Sequence, residues 1–237
     1  MTSRESDMRV LVVQNESASP GGLINEWFEE QKARVDVLRI DVEDEDVDPR
    51  DYQLIVPLGS EFAAYDESRP FVRRSKVLLE RAVEADVPVL GVCFGGQLLA
   101  SVLGGQAFRA AESEIGWIPV RTRDPELVSE GPWFQWHFDT FSTPPGATLI
   151  AETDSGPQAF VSGRHLGLQF HPEVTPEIME GWVGTYRHEL DDEGVDPDAL
   201  LEETHRRAES SRTSSLRLLR RYIDAIARPG SERVRER

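Results

Sequence analysis

The chain has 237 residues, of which 39% are hydrophobic and 29% charged, a balance typical of a soluble globular protein. Its 43 acidic and 26 basic side chains give a net charge of −17, so we expect neither nucleic acid nor a membrane as a partner. Cys93 is the only cysteine, which excludes an intrachain disulfide and a cysteine-based zinc site. No targeting segment or long apolar run is recognisable, and we expect a cytoplasmic protein.

The first hundred residues alternate between short apolar runs and amphipathic stretches. Runs rich in Val, Ile and Leu predict buried strands at residues 8–14, 34–41, 52–58 and 87–92. Helical spacing of apolar residues predicts helices at residues 23–33 and 69–85. Because strands that alternate with helices form right-handed βαβ units, the pattern predicts an α/β fold with a mostly parallel sheet.

The remainder of the chain changes character. Closely spaced apolar segments separated by Gly, Pro and Asp predict added antiparallel strands at residues 116–121, 134–138, 148–151, 159–161 and 166–170. Helices are predicted at residues 176–189 and 211–227, with an acidic loop at 191–198 between them and a frayed end at 229–237. One domain over residues 1–237 is the simplest organisation, with a core at about 8–190 and a C-terminal helical extension at about 191–228. The apolar stripe of that extension favours a core face: Leu216, Leu218, Leu219, Tyr222 and Ile223.

The most informative segment is a glycine-rich turn between a predicted strand and a predicted helix at residues 97–102. It reads Gly91-Val92-Cys93-Phe94-Gly95, which matches the strand–turn–helix context of a nucleophile elbow with Cys in place of Ser. Small residues on both sides let the backbone turn sharply, and the helix dipole favours the thiolate of Cys93. The N–H of Phe94 is then free to stabilise an oxyanion. A buried structural cysteine and a phosphate-binding turn remain alternatives.

A second segment supplies the groups that a cysteine nucleophile needs. His171 and Glu173 follow the predicted strand 166–170, and residues i and i+2 of an extended chain point the same way. The Glu173 carboxylate can therefore hold one tautomer of the imidazole and stabilise its protonated form. His-Pro-Glu alone is more often a solvated turn, but beside the Cys93 turn it predicts a catalytic triad.

Four motifs together resemble the class I glutamine amidotransferases, in the stand-alone form similar to the glutaminase domain of GMP synthase. They are GVCFGGQLLA, EIGW at 114–117, WHFD at 136–139 and QFHPE at 169–173. The resemblance implies a flavodoxin-like, three-layer core. It also implies Cys93 as nucleophile, His171 as base and acid, Glu173 as its orienting carboxylate, and Gln97 beside the substrate.

The resemblance implies an oxyanion hole formed by the backbone at Gly59, Ser60 and Phe94. Where the family usually has Gly-Gly-Pro, this chain has Gly59-Ser60-Glu61. If that position requires a positive φ, Ser60 is strained by roughly 1–2 kcal/mol and the hole is less well formed. His137 is either a hydrogen-bonded packing residue or a substrate-binding residue in a loop over the substrate.

The expected function is hydrolysis of the glutamine side-chain amide through a thioester on Cys93, with ammonia delivered to a separate synthetase partner. One alternative is a γ-glutamyl amide or peptide hydrolase with the same triad, in which the WHFD loop and the helix beyond Trp182 shape a wider pocket. Another is a regulatory module without turnover. The histidines show no metal-ligand spacing and no P-loop is present, so neither metal nor cofactor is predicted.

Overall fold

The computed structural model describes residues 8–227, so the predicted frayed end at 229–237 lies outside the described residues. Ten strands run in chain order: β1 Arg9–Gln14, β2 Arg34–Arg39, β3 Leu54–Pro57, β4 Leu90–Val92, β5 Ala107–Ile118, β6 Arg121–Thr122, β7 Trp133–Phe141, β8 Thr148–Glu152, β9 Pro157–Ser162 and β10 His165–Leu168. Six α-helices accompany them: α1 Gly22–Glu30, α2 Pro70–Glu84, α3 Phe94–Val102, α4 Pro176–Thr185, α5 Arg187–Glu193 and α6 Pro197–Tyr222.

The strands form a twisted sheet whose first half is parallel. Strands β2, β1 and β3 pair in that order, and β4 pairs in parallel with β10. A parallel bridge between Ile55 and Val89 joins the two groups. The order β2-β1-β3-β4-β10 is that of flavodoxin-like folds, as the sequence predicted. Antiparallel strands β9, β8 and β6 extend the sheet, and β5 and β7 form a separate ribbon.

Alternate side chains of the strands face two helical layers. Val10 and Val12 of β1 pack in a cluster with α1 and the end of α6, whereas Leu11 and Val13 pack with α2 and α3 on the other face. This three-layer arrangement buries both faces of the parallel strands, which explains why their sequences are almost continuously apolar.

Helix α6 and the π-helical turn Ile223–Ala227 that follows it belong to the first of these layers. Leu218, Leu219, Tyr222 and Ile223 are buried, and Leu216 is partly buried against the same cluster, so the apolar stripe is core as predicted. The Tyr222 hydroxyl lies within hydrogen-bonding distance of the carbonyl oxygens of Val89, at 3.1 Å, and Arg164, at 3.0 Å. These contacts anchor the end of α6 to the sheet.

Two predicted segments need correction. Residues 191–198 are not a loop: α5 runs to Glu193, Gly194 ends it in the left-handed conformation, and Asp196 caps α6 before Pro197. Helix signals therefore outweigh the acidic composition, and the last helix begins 14 residues before the predicted start at 211. Strand β5 begins at Ala107 instead of 116, because its first half lies in a bulged, largely exposed ribbon without apolar alternation. Within residues 8–227, no helix is both long and apolar enough to cross a membrane.

Candidate active site

The residues that the sequence singled out meet at the carboxyl ends of neighbouring strands. Cys93 follows β4, His171 lies shortly after β10, and Ser60 follows β3. In open α/β sheets this edge is where ligands bind. All three residues line one cleft with Gln97 and His137.

Cys93 occupies a strained turn, as the elbow prediction required. Its φ of 51° and ψ of −111° lie outside the regions that non-glycine residues favour, at a cost of roughly 1–3 kcal/mol. The N–H of Cys93 donates to the Leu168 carbonyl at 2.9 Å and holds the turn against β10. Neighbouring glycines permit this packing, since a Cβ on Gly95 would lie 2.0 Å from the Pro57 carbonyl oxygen. We call residues 91–96 the floor of the cleft.

His171 and Glu173 form a buried pair. The Nδ1 of His171 lies 2.7 Å from Oε1 of Glu173, and the two side chains are 4% and 1% exposed. The Nε2 of His171 is buried without a hydrogen-bond partner among the described residues. Burial lowers the pKa of His171, but the carboxylate of Glu173 and the adjacent Cys93 outweigh it, so the pKa is raised overall. The imidazole is therefore oriented at Nδ1 and available at Nε2.

A hydrogen-bonded pair of glutamine side chains, Gln97 and Gln169, extends to the sulfur of Cys93. Gln97 donates from Nε2 to the Asp139 carbonyl at 3.1 Å and to Oε1 of Gln169 at 3.2 Å. Gln169 in turn approaches Sγ of Cys93 with its Nε2 at 3.7 Å. Gln169 belongs to the QFHPE motif but had no predicted role. The structure thus places an amide donor, Nε2 of Gln169, next to Cys93. The motif alone did not predict this contact.

The predicted oxyanion segment is not strained at Ser60. In the described chain the non-glycine residues with positive φ are Lys32, Asp86 and Cys93, so the expected strain at Ser60 is absent. Gly59 packs against His171 and Cys93, because a Cβ there would lie 3.2 Å from Cε1 of His171 and 3.7 Å from Cβ of Cys93. The N–H of Phe94 is one of the first four amides of α3, which have no partner within the helix.

His137 is buried with both ring nitrogens engaged. Its Nε2 lies 3.0 Å from Glu114 Oε2, and its Nδ1 lies 2.9 Å from the Asp139 carbonyl oxygen. Burial raises the pKa of Glu114, but its hydrogen bond with His137 helps to lower the pKa overall. Gln158 donates to the same carboxylate at 2.7 Å. His137 lines the cleft, and its two contacts connect the Trp136–Asp139 segment of β7 to Glu114 of β5.

Aromatic and acidic side chains from the C-terminal helices complete the cleft on another side. The ring of Trp182 lies 4.9 Å from that of His171 and 5.9 Å from that of Trp136, between centroids. The Nε1 of Trp136 donates to Oε2 of Glu189 at 2.7 Å. We call Trp182, Tyr186 and Glu189 the wall of the cleft.

A comparison with protein-family models shows to which family this chain belongs. Residues 13–181 match the family model of the class-I glutamine amidotransferases. The chain belongs to this family. The match includes the floor of the cleft and the His171–Glu173 pair, and it ends one residue before the wall.

Two curated relatives of this amidotransferase differ in how much of each chain the match covers. It is 39% identical over 110 residues to a GMP synthase (glutamine-hydrolyzing) of Thermus thermophilus, but the match covers 42% of this chain and 22% of that protein. The chain thus spans about a fifth of the length of such a relative. It is 29% identical over 201 residues to the glutamine amidotransferase-like protein YfeJ of Salmonella typhimurium, and that match covers 78% of this chain and 84% of that protein.

Solved structures agree over nearly the whole chain. A glutamine amidotransferase of Thermotoga maritima is 33% identical, with a TM-score of 0.84 over 92% of this chain and 99% of that one. One from Methylobacillus flagellatus is 26% identical, with a TM-score of 0.85 over 96% of this chain and 99% of that one. Both similarities extend beyond the residues of the family model.

Proposed function

We propose that this amidotransferase hydrolyses the side-chain amide of glutamine through a thioester on Cys93. The observation that carries the proposal is the unpartnered, buried Nε2 of His171, held at Nδ1 by Glu173, in the same cleft as the strained cysteine turn. Nucleophile, base and orienting group are the three parts that triad catalysis requires.

The proposed reaction uses each of these groups in turn. His171 takes the thiol proton of Cys93, and Sγ attacks the γ-carbonyl carbon. The N–H groups of Phe94 and the Gly59–Ser60 turn stabilise the oxyanion. As the C–N bond breaks, His171 returns its proton to the leaving nitrogen, and ammonia departs. Water, deprotonated by His171, then attacks the glutamyl thioester, and release of glutamate restores the thiol.

We further propose that the ammonia is used by a separate polypeptide in the cytoplasm. The sequence contains no P-loop for ATP-dependent acceptor chemistry. Its likeness to YfeJ over most of both chains, and to GMP synthase over only 22% of the latter, supports a stand-alone enzyme. A reactive cysteine without a pairing partner suits the reducing cytoplasm.

Co-purification with an ATP-pyrophosphatase subunit and glutamine-dependent GMP formation would overturn the stand-alone assignment.

The experiment is an ammonia-release assay with glutamine, combined with mass spectrometry of the quenched protein. We expect a glutamyl adduct on Cys93 in the wild type. A Cys93→Ala variant should lose at least about 10³-fold in kcat and form no adduct. Ser101→Ala, a polar-to-Ala change on α3, is the matched control and should retain activity. Unchanged turnover in Cys93→Ala would disprove the triad, and a folded wild type without turnover or adduct would favour the regulatory alternative.

A further inference from the structure

Gln169 is fully buried between Gln97 and the turn that carries Cys93. It is the first residue after β10, and its N–H donates to the Gln158 carbonyl at 2.9 Å, which fixes its backbone. Its side-chain Nε2 lies 3.7 Å from Sγ of Cys93 and has no other acceptor within residues 8–227. Because a buried amide without a partner is costly, the contact with the sulfur is the one that satisfies this group.

The hydrogen bonds of Gln97 determine which terminal atom of Gln169 faces the sulfur. A carbonyl oxygen only accepts, so the atom of Gln97 that lies 3.1 Å from the Asp139 carbonyl must be the donor Nε2. The same Nε2 lies 3.2 Å from the side chain of Gln169, and the atom that it meets there must be the acceptor Oε1. The other terminal atom of Gln169, the donor Nε2, is therefore directed to Cys93.

The Asp139 carbonyl at the start of this series is held in place as well. It accepts from Nδ1 of His137 at 2.9 Å, and Nε2 of the same imidazole lies 3.0 Å from Oε2 of Glu114. Both side chains are buried. The hydrogen bonds thus run without a gap from β5, through β7 and the side chain of Gln97, to Gln169 and the sulfur.

The charge on the sulfur determines the strength of the last contact in this series. A thiol is a weak acceptor, whereas a thiolate accepts from an N–H through a charge-assisted hydrogen bond. The Gln169 amide is neutral and its orientation is fixed, so it stays directed to the sulfur when the charge forms. The contact therefore favours the thiolate of Cys93 over the thiol and restricts the positions that Sγ adopts.

We propose that Gln169 is a positioning residue that holds Cys93 as a thiolate, and that Gln97 sets the orientation of Gln169. The proposal rests on the proposed function, in which Cys93 is the nucleophile, and adds a donor outside the triad and the oxyanion hole. The adjacent residue supports this role, because the Leu168 carbonyl accepts from the N–H of Cys93 at 2.9 Å. One strand end thus holds both the backbone and the sulfur of the nucleophile.

The test measures the reactivity of Cys93 in the absence of glutamine. Because the thiolate is the nucleophile and Cys93 is the only cysteine, the rate of alkylation by iodoacetamide at pH 7 reports on this one sulfur. Gln169→Met keeps the length and neutrality of the side chain and removes the N–H. We expect it to lower the alkylation rate about fivefold or more, and to lower kcat while KM changes little.

Gln31→Met is the matched control. It makes the same change at an exposed glutamine that follows α1, outside the cleft, and should leave the alkylation rate and kcat unchanged. Urea denaturation of both variants checks that they are folded. If Gln169→Met does not fold, Gln169→Glu takes its place, since it keeps the shape of the side chain, loses the donor and adds a negative charge. Its alkylation rate should fall further, and a wild-type rate in it would overturn the proposal.

Gln97→Met tests the orienting step. It leaves Oε1 of Gln169 without its donor, so the amide can turn, and we expect the alkylation rate to fall by about twofold to threefold. Because Gln97 acts on the sulfur through Gln169, the variant Gln97→Met/Gln169→Met should react at the rate of Gln169→Met alone. A rate in the double variant equal to the product of the two single effects would overturn the orienting role.

Alkylation separates this proposal from the proposed function, because it requires no turnover. A lower rate in folded Gln169→Met, with an unchanged rate in Gln31→Met, supports the positioning role even if glutamine is not hydrolysed. A wild-type rate in folded Gln169→Met, together with a glutamyl adduct on wild-type Cys93, overturns the positioning role and leaves the hydrolase intact. Such a result would mean that Gln169 only fills space beside the sulfur.

Discussion

The floor and the wall of the cleft are built in different ways. The floor depends on backbone contacts: glycines let α3 approach the ends of β3 and β10, and little except Gly fits there. The wall depends on side chains that stand on helices packed against β7. The proposed nucleophile, which needs a fixed geometry, therefore lies where backbone contacts set its position, while side chains of the wall can change without disturbing it.

The largest expected effect breaks the floor. In Gly95→Ala the new Cβ would lie 2.0 Å from the Pro57 carbonyl oxygen, and neither backbone segment can move without disrupting the sheet. We expect a loss of roughly 3 kcal/mol or more in the free energy of unfolding, measured by urea denaturation. A loss below about 1 kcal/mol would show that the floor is more adaptable than this comparison holds.

The next effect concerns charge in the His171–Glu173 pair beside the floor. Because the pKa of His171 is raised in the folded state, the imidazolium–carboxylate pair stabilises the protein fully below the ordinary imidazole pKa of about 6.5. That contribution is lost as the pH rises toward the raised value. We expect Glu173→Gln to lower the unfolding free energy by about 2 kcal/mol at pH 6, and by progressively less at higher pH.

Urea denaturation between pH 6 and pH 9 measures this dependence. Glu112→Gln, an exposed change, is the control and should give a small difference that does not vary with pH. A gap between wild type and Glu173→Gln that widens with rising pH would contradict the assigned direction of the shift.

A smaller effect tests how closely the turn after β3 holds the His171 ring. In Gly59→Ala the Cβ would lie 3.2 Å from Cε1 of His171, so the ring must move by a few tenths of an ångström. We expect kcat/KM to fall about tenfold, while the unfolding free energy falls by less than about 1 kcal/mol. Equal activity in both proteins would mean that the position of the ring is not limiting.

The floor and the His171–Glu173 pair could be predicted from sequence, because each lies in a short motif next to a predicted strand end. The Gly91–Gly95 turn has a fixed spacing, and His171 and Glu173 follow a strand end that parallel pairing brings beside Cys93. The backbone conformation of Ser60 could not be predicted in the same way. Whether it needed a positive φ depends on the conformation of the loop after β3, which residue type alone does not specify.

The sequence favoured a pocket shaped by the helix beyond Trp182 only as an alternative, and the places of Tyr186 and Glu189 in the wall could not be predicted because they depend on helix packing. Neither residue belongs to one of the four motifs, and Glu189 is an ordinary acidic residue in an acidic sequence. The acidic composition also led to the prediction of a loop at 191–198, where α5 ends and α6 begins. Gly194 and Asp196-Pro197 are nevertheless standard helix-end signals. At this point of the chain the helix-end residues determine the structure, and the acidic composition does not.

The smallest expected effect comes from a second glycine-to-alanine change, placed in α4, the helix that carries Trp182 of the wall. Gly181 lies in the interior of α4, immediately before Trp182, and a Cβ there would have no heavy atom within 4 Å. Alanine loses less conformational entropy than glycine in a helix, so Gly181→Ala should raise the unfolding free energy by about 0.5–1 kcal/mol. Urea denaturation measures this gain, and kcat/KM should stay unchanged because Gly181 does not line the cleft and the new methyl group contacts no other residue. If Gly181→Ala instead destabilises the protein as Gly95→Ala does, α4 is held by close backbone contacts as well, and the distinction between a backbone-built floor and a side-chain-built wall fails.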